Sequence, residues 1–199
     1  MCNLYKLKSP RSEVIGLFRA ADHWQADMGK DYVAPGLPGP VVIERDGERL
    51  SGLMEWGVPN AGKLVTNVRN LESPFWRNML ERPHHRCLVP VEEFQEWSAA
   101  PDPESGKKRP CWFSIPSRPM FAFAGIWRKV DGDPRFAFLT TEPNALVGAV
   151  HPKAMPVILD EADYDLWLTG PWEEAGILAG AYPSQLMAIG RHGGSAEKP

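Results

Sequence analysis

Between residues 86 and 141 the chain is written almost wholly in short β-type runs. The blocks RCLVPV, EFQEWS, CWFSI, FAFAGIW and RFAFLTT are dense in aromatic and branched side chains, and turn formers separate them: the polar segment PDPESGKKRP and the pair Asp131, Gly132. Runs this short, bounded in this way, read as strands. Upstream, VVIERDGERLSGLMEWG reads as a hairpin with Asp46 and Gly47 as its two-residue turn. Twenty prolines in 199 residues push the same way, because each interrupts helix and central strand alike. The helices must therefore be short. One is expected from Ser9 as N-cap with Pro10 at the first helical position, carrying Val14, Leu17, Phe18, Ala21 and Trp24 at helical spacing. A second, SPFWRNMLER, starts at Ser73 and Pro74 and stops before Pro83, and further short helices fit PNALVGAV, DEADYDLWL and PWEEAGILAG. The expected architecture is α+β: a single domain with a mainly antiparallel, barrel-like β core and flanking helices. No linker demands a boundary, so one domain is expected over residues 1–190, with 191–199 as a flexible tail.

Composition narrows the function. Three cysteines, Cys2, Cys87 and Cys111, are too few and too odd in number for a disulfide framework, which favours a reducing, cytoplasmic setting. Cys87 and Cys111 lie in strand patterns and read as core thiols. No apolar run approaches the ~18 residues needed to span a bilayer, so no membrane partner is expected. A net charge of −3 argues against a general nucleic-acid binder and leaves room for a local basic groove. The cluster His84, His85, Cys87 is rich in ligand types but has no second cluster at zinc spacing, so neither a metal nor any other cofactor is expected.

The unusual residue is Cys2. Loss of Met1 would leave it N-terminal, with a thiol and an α-amine on one residue, both partly deprotonated near neutral pH. Such a 1,2-aminothiol condenses with an aldehyde to an imine, and the sulfur then closes a thiazolidine ring. A terminal amine can also act as base for its own side chain. Position alone leaves Cys2 either a chance residue or a reagent. Other candidates follow along the chain. Asn67 and Arg69 in LVTNVRN would share one face of an extended segment, the arginine suited to phosphate. Glu96 in VPVEEFQEW lies among aromatics that would desolvate it and raise its pKa toward use as a proton shuttle; alternatively it is an edge-strand glutamate facing water. His151 in AVHPKAMP, with Lys153 two residues on, is a proton donor suited to neutral pH or a structural histidine.

In order, Cys2, NVR, RCLVPVEEFQEW, FAFAGIW, LTTEPN and VHPKAMPVIL resemble the SOS-response-associated peptidase (SRAP) family over residues 1 to about 168, with YVAPG and EWG as further blocks. The resemblance implies binding of single-stranded DNA at abasic sites, self-removal of Met1, and a covalent thiazolidine crosslink between Cys2 and the sugar aldehyde; nothing in the sequence demands more than a monomer. It also implies roles: Cys2 as nucleophile, Asn67 holding the terminal amine and opened sugar, Glu96 moving protons, and His151 assisting ring opening. Arg69, Lys153, Thr140, Trp56 and Pro35 would contact DNA or shape its groove. The chain departs from the family pattern in places. Asn3 and Leu4 replace the usual Gly-Arg after the cysteine, and Tyr32 precedes Val33, Ala34 and Pro35 where the family has Asn. The histidine block carries one extra residue, with Lys153 in place of a phosphate-gripping arginine. Two readings of other classes stay open: a cysteine peptidase acting on other proteins through Cys2 and His151, and a non-covalent DNA-binding module.

Overall fold

A computed structural model describes residues 2–190. Met1 and the expected tail, 191–199, lie outside the described residues. The strands legible in the sequence form as two sheets. The larger is built around the Pro38–Arg45 and Glu48–Trp56 hairpin, whose turn residues Asp46 and Gly47 both take positive φ (54° and 85°). That left-handed pair gives the tight turn whose twist matches the strands it joins. Asp131 and Gly132 repeat the device between Phe121–Val130 and Asp133–Thr141. Arg86–Val91 pairs antiparallel with both Pro38–Arg45 and Phe121–Val130. The circuit closes where Asp133–Thr141 runs parallel to Glu48–Trp56, with Arg135 opposite Glu55 and Phe136 opposite Trp56. These five strands make the barrel.

A second, five-stranded sheet covers it, in the order Ala188–Gly190, Pro110–Ser114, Glu93–Trp97, Tyr5–Lys6 and Tyr32–Val33. Between barrel and cover lies an aromatic core. Tyr5 touches Trp56, Phe123 and Phe138, and Phe94 meets Phe113 and Phe123. Each such ring, fully buried, contributes roughly 2–3 kcal/mol. Two glycines allow this packing. A Cβ on Gly39 would stand 2.5 Å from the Tyr5 hydroxyl, and one on Gly125 would stand 2.7 Å from Cys87 Sγ. The opposite barrel face, with Val42, Leu88, Ala124 and Ala137, packs against the helices through Phe18, Trp76, Leu80 and Trp167. Among the described residues no helix is long and apolar enough to cross a membrane.

Some local readings needed correction. The first helix is Arg11–Phe18, and Pro10, not Ser9, is its N-cap. Arg19 turns the chain with φ 51°, and Ala21 then leaves the helix to pair with Leu50 in a parallel strand. The expected apolar stripe therefore breaks: Val14 and Phe18 reach the core from the helix and Trp24 from the segment after the short strand, while Leu17 is exposed and Ala21 only half-buried. The second helix, Pro74–Leu80, starts after Ser73 as expected. Cys87 is a core thiol, but Cys111 is only half-buried.

Candidate active site

Strand alternation decides what reaches one end of the aromatic core. In Glu93–Trp97, Phe94 faces inward, so Glu96 does too, while Trp97 points out and is exposed. In Asp133–Thr141, Phe136 and Phe138 face inward, which places Thr140 on the same face. Asn67 lies beside Phe138 in the short parallel strand Asn67–Val68. The segment 2–4 leads into the central strand Tyr5–Lys6, and the Gln95 amide bonds the Leu4 carbonyl at 3.0 Å, seating Cys2 between these elements.

The contacts are specific. Asn67 Nδ2 donates to the Cys2 carbonyl at 3.2 Å and to Thr66 Oγ1 at 2.9 Å. Asn67 Oδ1 and Thr140 Oγ1 are buried without a hydrogen-bond partner among the described residues, so two polar oxygens stand ready for a hydroxyl or amine. Cys2 is fully buried, and its thiol contacts the Leu4 carbonyl at 3.5 Å. Burial, with the Glu96 charge adding to it, holds this thiol far above the ordinary range. Burial likewise pushes Glu96 up to about 7. His151 Nδ1 stands 3.7 Å from Glu96 Oε2, near enough for charge coupling or a proton passed through one small shift. Burial lowers the imidazole pKa, and the charges of Lys153 and Lys108 add to the effect.

His151 owes its place to a cap. It follows the helix Ala145–Gly148, whose N-cap Asn144 accepts from the Val147 amide at 2.9 Å and donates through Nδ2 to the Tyr182 carbonyl at 2.6 Å. The His151 amide in turn bonds the Val147 carbonyl at 2.7 Å. Asn144 was missed in the sequence, although the pair Pro143, Asn144 before an apolar run is an N-cap signature.

Cys2, Asn67, Glu96, Thr140 and His151 thus converge, while the remaining sequence candidates lie around or behind them. Arg69 lies past the end of its strand, exposed and paired with Glu142, and does not share the face of buried Asn67. Lys153 and Pro35 are exposed. Trp56 is a correction: it is fully buried, stacked on Phe136 and Phe138 and bonded through Nε1 to the Thr66 carbonyl at 3.0 Å, so it supports the segment before Asn67 from behind and has no surface to offer a ligand. His84 and His85 lie ring to ring, with His85 bonded to the Trp127 carbonyl, and Cys87 is sunk in the core. Among the described residues no three His, Cys, Asp or Glu side chains are grouped to hold a metal.

The sequence matches the family model described as SOS response associated peptidase (SRAP) over residues 1–189. It is 29% identical over 185 residues to the abasic site processing protein YoqW of Bacillus subtilis, covering 84% of this chain and 80% of that one. It is 28% identical over 185 residues to the abasic site processing protein YoaM of the same organism, covering 84% and 79%. Among solved structures, a protein from Bordetella bronchiseptica superposes with a TM-score of 0.78 at 22% identity, covering 96% of this chain and 99% of that one. A protein from Bacteroides thetaiotaomicron gives 0.78 at 20%, covering 94% and 90%. At these identities the two structures bear on the fold alone.

Proposed function

Since the chain belongs to the SOS response associated peptidase family, we propose that it recognises abasic sites in single-stranded DNA and captures them as a thiazolidine on Cys2 once Met1 is removed. The observation that carries the reading is the convergence of Cys2, Asn67, Glu96 and His151 at one end of the core. The names of the Bacillus relatives support the substrate.

A baseless nucleotide has no stacking to lose, so it enters a pocket cheaply. His151 and Glu96 exchange a proton with the sugar as the ring opens to the C1′ aldehyde. The Cys2 amine adds to C1′, and the carbinolamine loses one water to give an imine. The Cys2 sulfur then bonds C1′ while its proton passes to the imine nitrogen, with Glu96 as carrier. A carboxyl poised near 7 suits both directions of that transfer. The buried thiol needs no free thiolate, because its proton leaves as the S–C bond forms. A thiol held protonated weighs against a peptidase acting on other proteins, which needs an activated thiolate.

Intact mass after mixing with a single-stranded oligonucleotide bearing one abasic site tests this. The expected species lacks Met1 and gains the oligonucleotide minus one water, and Cys2→Ala abolishes it. An adduct that persists in Cys2→Ala overturns the chemistry.

A further inference from the structure

The segment PDPESGKKRP, expected only to be a polar loop, is a built arm. Asp102 organises it: its Oδ1 accepts from the Glu104 and Ser105 amides at 3.0 and 2.8 Å, and its Oδ2 pairs with Arg109 at 3.1 Å. The Asp102 amide and carbonyl bond Lys107 and Gly106, each at 2.8 Å. Ser98 locks the base of the arm, its Oγ accepting from the Arg109 amide at 2.9 Å. The arm connects Glu93–Trp97 to Pro110–Ser114, so it rises directly from the strand that carries Glu96.

Beneath it lies a groove of about 740 Å³, in the size range of ligand sites. Its walls are mostly apolar, with Pro101, Pro110, Val150 and Ile189, and they include Arg109 and Cys111. The groove adjoins the site on two sides: Cys111 is the cross-strand partner of Glu96, and Val150 directly precedes His151. Ile189 is 42% exposed on this wall, unusual for a large apolar residue that pairs with fully buried Phe113. The sequence places Lys107, Lys108 and Arg109 in a row at the end of the arm, all exposed. The charges of Lys108 and Lys153 both reach the His151 imidazole.

We infer that this groove holds the nucleotide next to the lesion, its base against Pro101, Pro110 and Ile189 and its phosphate on Lys108 and Arg109. The inference rests on the reading that abasic single-stranded DNA is the substrate. It assigns the arm a function that the catalytic residues do not need. An apolar wall takes any base by its face, and cations at the rim take the phosphate without reading sequence. Lys108 would then supply, from a different element, a second phosphate grip near His151, in addition to Lys153, which stands in place of an arginine.

Cys111 gives a direct test, because its thiol lies on the groove wall while Cys2 and Cys87 are buried. The wild-type protein is bound to a single-stranded oligonucleotide carrying a tetrahydrofuran residue, which lacks an aldehyde and forms no adduct. Binding is followed by anisotropy, and iodoacetamide labelling of Cys111 by peptide mass. At saturation, labelling should slow at least five-fold, and Lys108→Ala should flatten the slope of log affinity against log salt by about 0.7. Undiminished labelling in the saturated complex, or an unchanged slope, overturns the groove assignment and leaves crosslinking intact. Failure of the oligonucleotide to bind at all overturns both readings.

Discussion

Glu96→Gln should make the protein more stable and disable it, and the gain should depend on pH in a defined way. The Glu96 side chain is 2% exposed, and burial raises its pKa from the ordinary 4.5 to about 7. Between those values the unfolded chain has released this proton and the folded chain still holds it. Stability therefore falls as pH rises, by about 1.4 kcal/mol per pH unit. Across the whole window the loss is about 3 kcal/mol, complete above the folded value. Glutamine resembles the protonated acid and carries no such loss. At pH 5 the variant and wild type should differ little. At pH 8.5 the variant should be more stable by about 3 kcal/mol, a urea midpoint higher by about 1.5 M for a slope of roughly 2 kcal/mol/M. His151, whose pKa burial lowers, acts in the opposite sense, gaining stability as pH rises. His151 stands 3.7 Å from Glu96, so the two titrate together and the comparison at each pH reads the loss of Glu96 from that pair. Urea titrations at several pH values, with crosslinking rates at the same pH, make the assay. A stability difference equal at pH 5 and 8.5 would refute the claim that Glu96 is held protonated by desolvation.

Gly39→Ala forces a Cβ against the Tyr5 hydroxyl and Val33, and should cost about 1–3 kcal/mol by denaturant titration. Tyr5→Phe removes a buried hydroxyl that has no hydrogen-bond partner among the described residues, so it should be neutral or stabilising by up to about 1 kcal/mol, and should recover part of the Gly39→Ala loss in the double variant. Additive effects would mean that the hydroxyl is not the obstacle. Asn144→Ala should cost about 1–2 kcal/mol by losing its cap, while Asn144→Asp keeps the cap and loses the Nδ2 donor to the Tyr182 carbonyl and Met187 Sδ, so thermal melts should rank wild type, Asp, Ala.

The strands between residues 86 and 141 were legible because their apolar and aromatic residues are local signals. Glu96 was legible for the same reason: alternation with Phe94 ties its direction to the core. The closure of the barrel was not, because the pairing of Arg135 with Glu55 joins segments 80 residues apart, and neither the backbone ladder nor the ion pair between these two side chains can be foreseen from a local window. The same non-local packing buried Trp56, which next to Glu55 and Gly57 reads equally well as a surface aromatic. Arg69 misled for another reason. The strand ends at Val68, so the period-two argument that joined it to Asn67 stops one residue early. Cys111 sits in a strand as expected, yet its neighbours across the groove come from residues 149–150 and 189, which no short window contains.

The strand that follows Cys2 sits in the middle of its sheet, between Tyr32–Val33 and Glu93–Trp97. That position sets a schedule for synthesis. Tyr5 and Lys6 leave the ribosome some ninety residues ahead of their partner Phe94. At roughly 5–20 residues per second, that is a wait of several seconds to about twenty. Asn67 arrives within it, and His151 only after it. Throughout this interval the thiol is uncovered and the groups that would govern it are not yet beside it. The thiol of a growing chain is therefore open to oxidants, and it becomes covered only once the strands that bury it have been made.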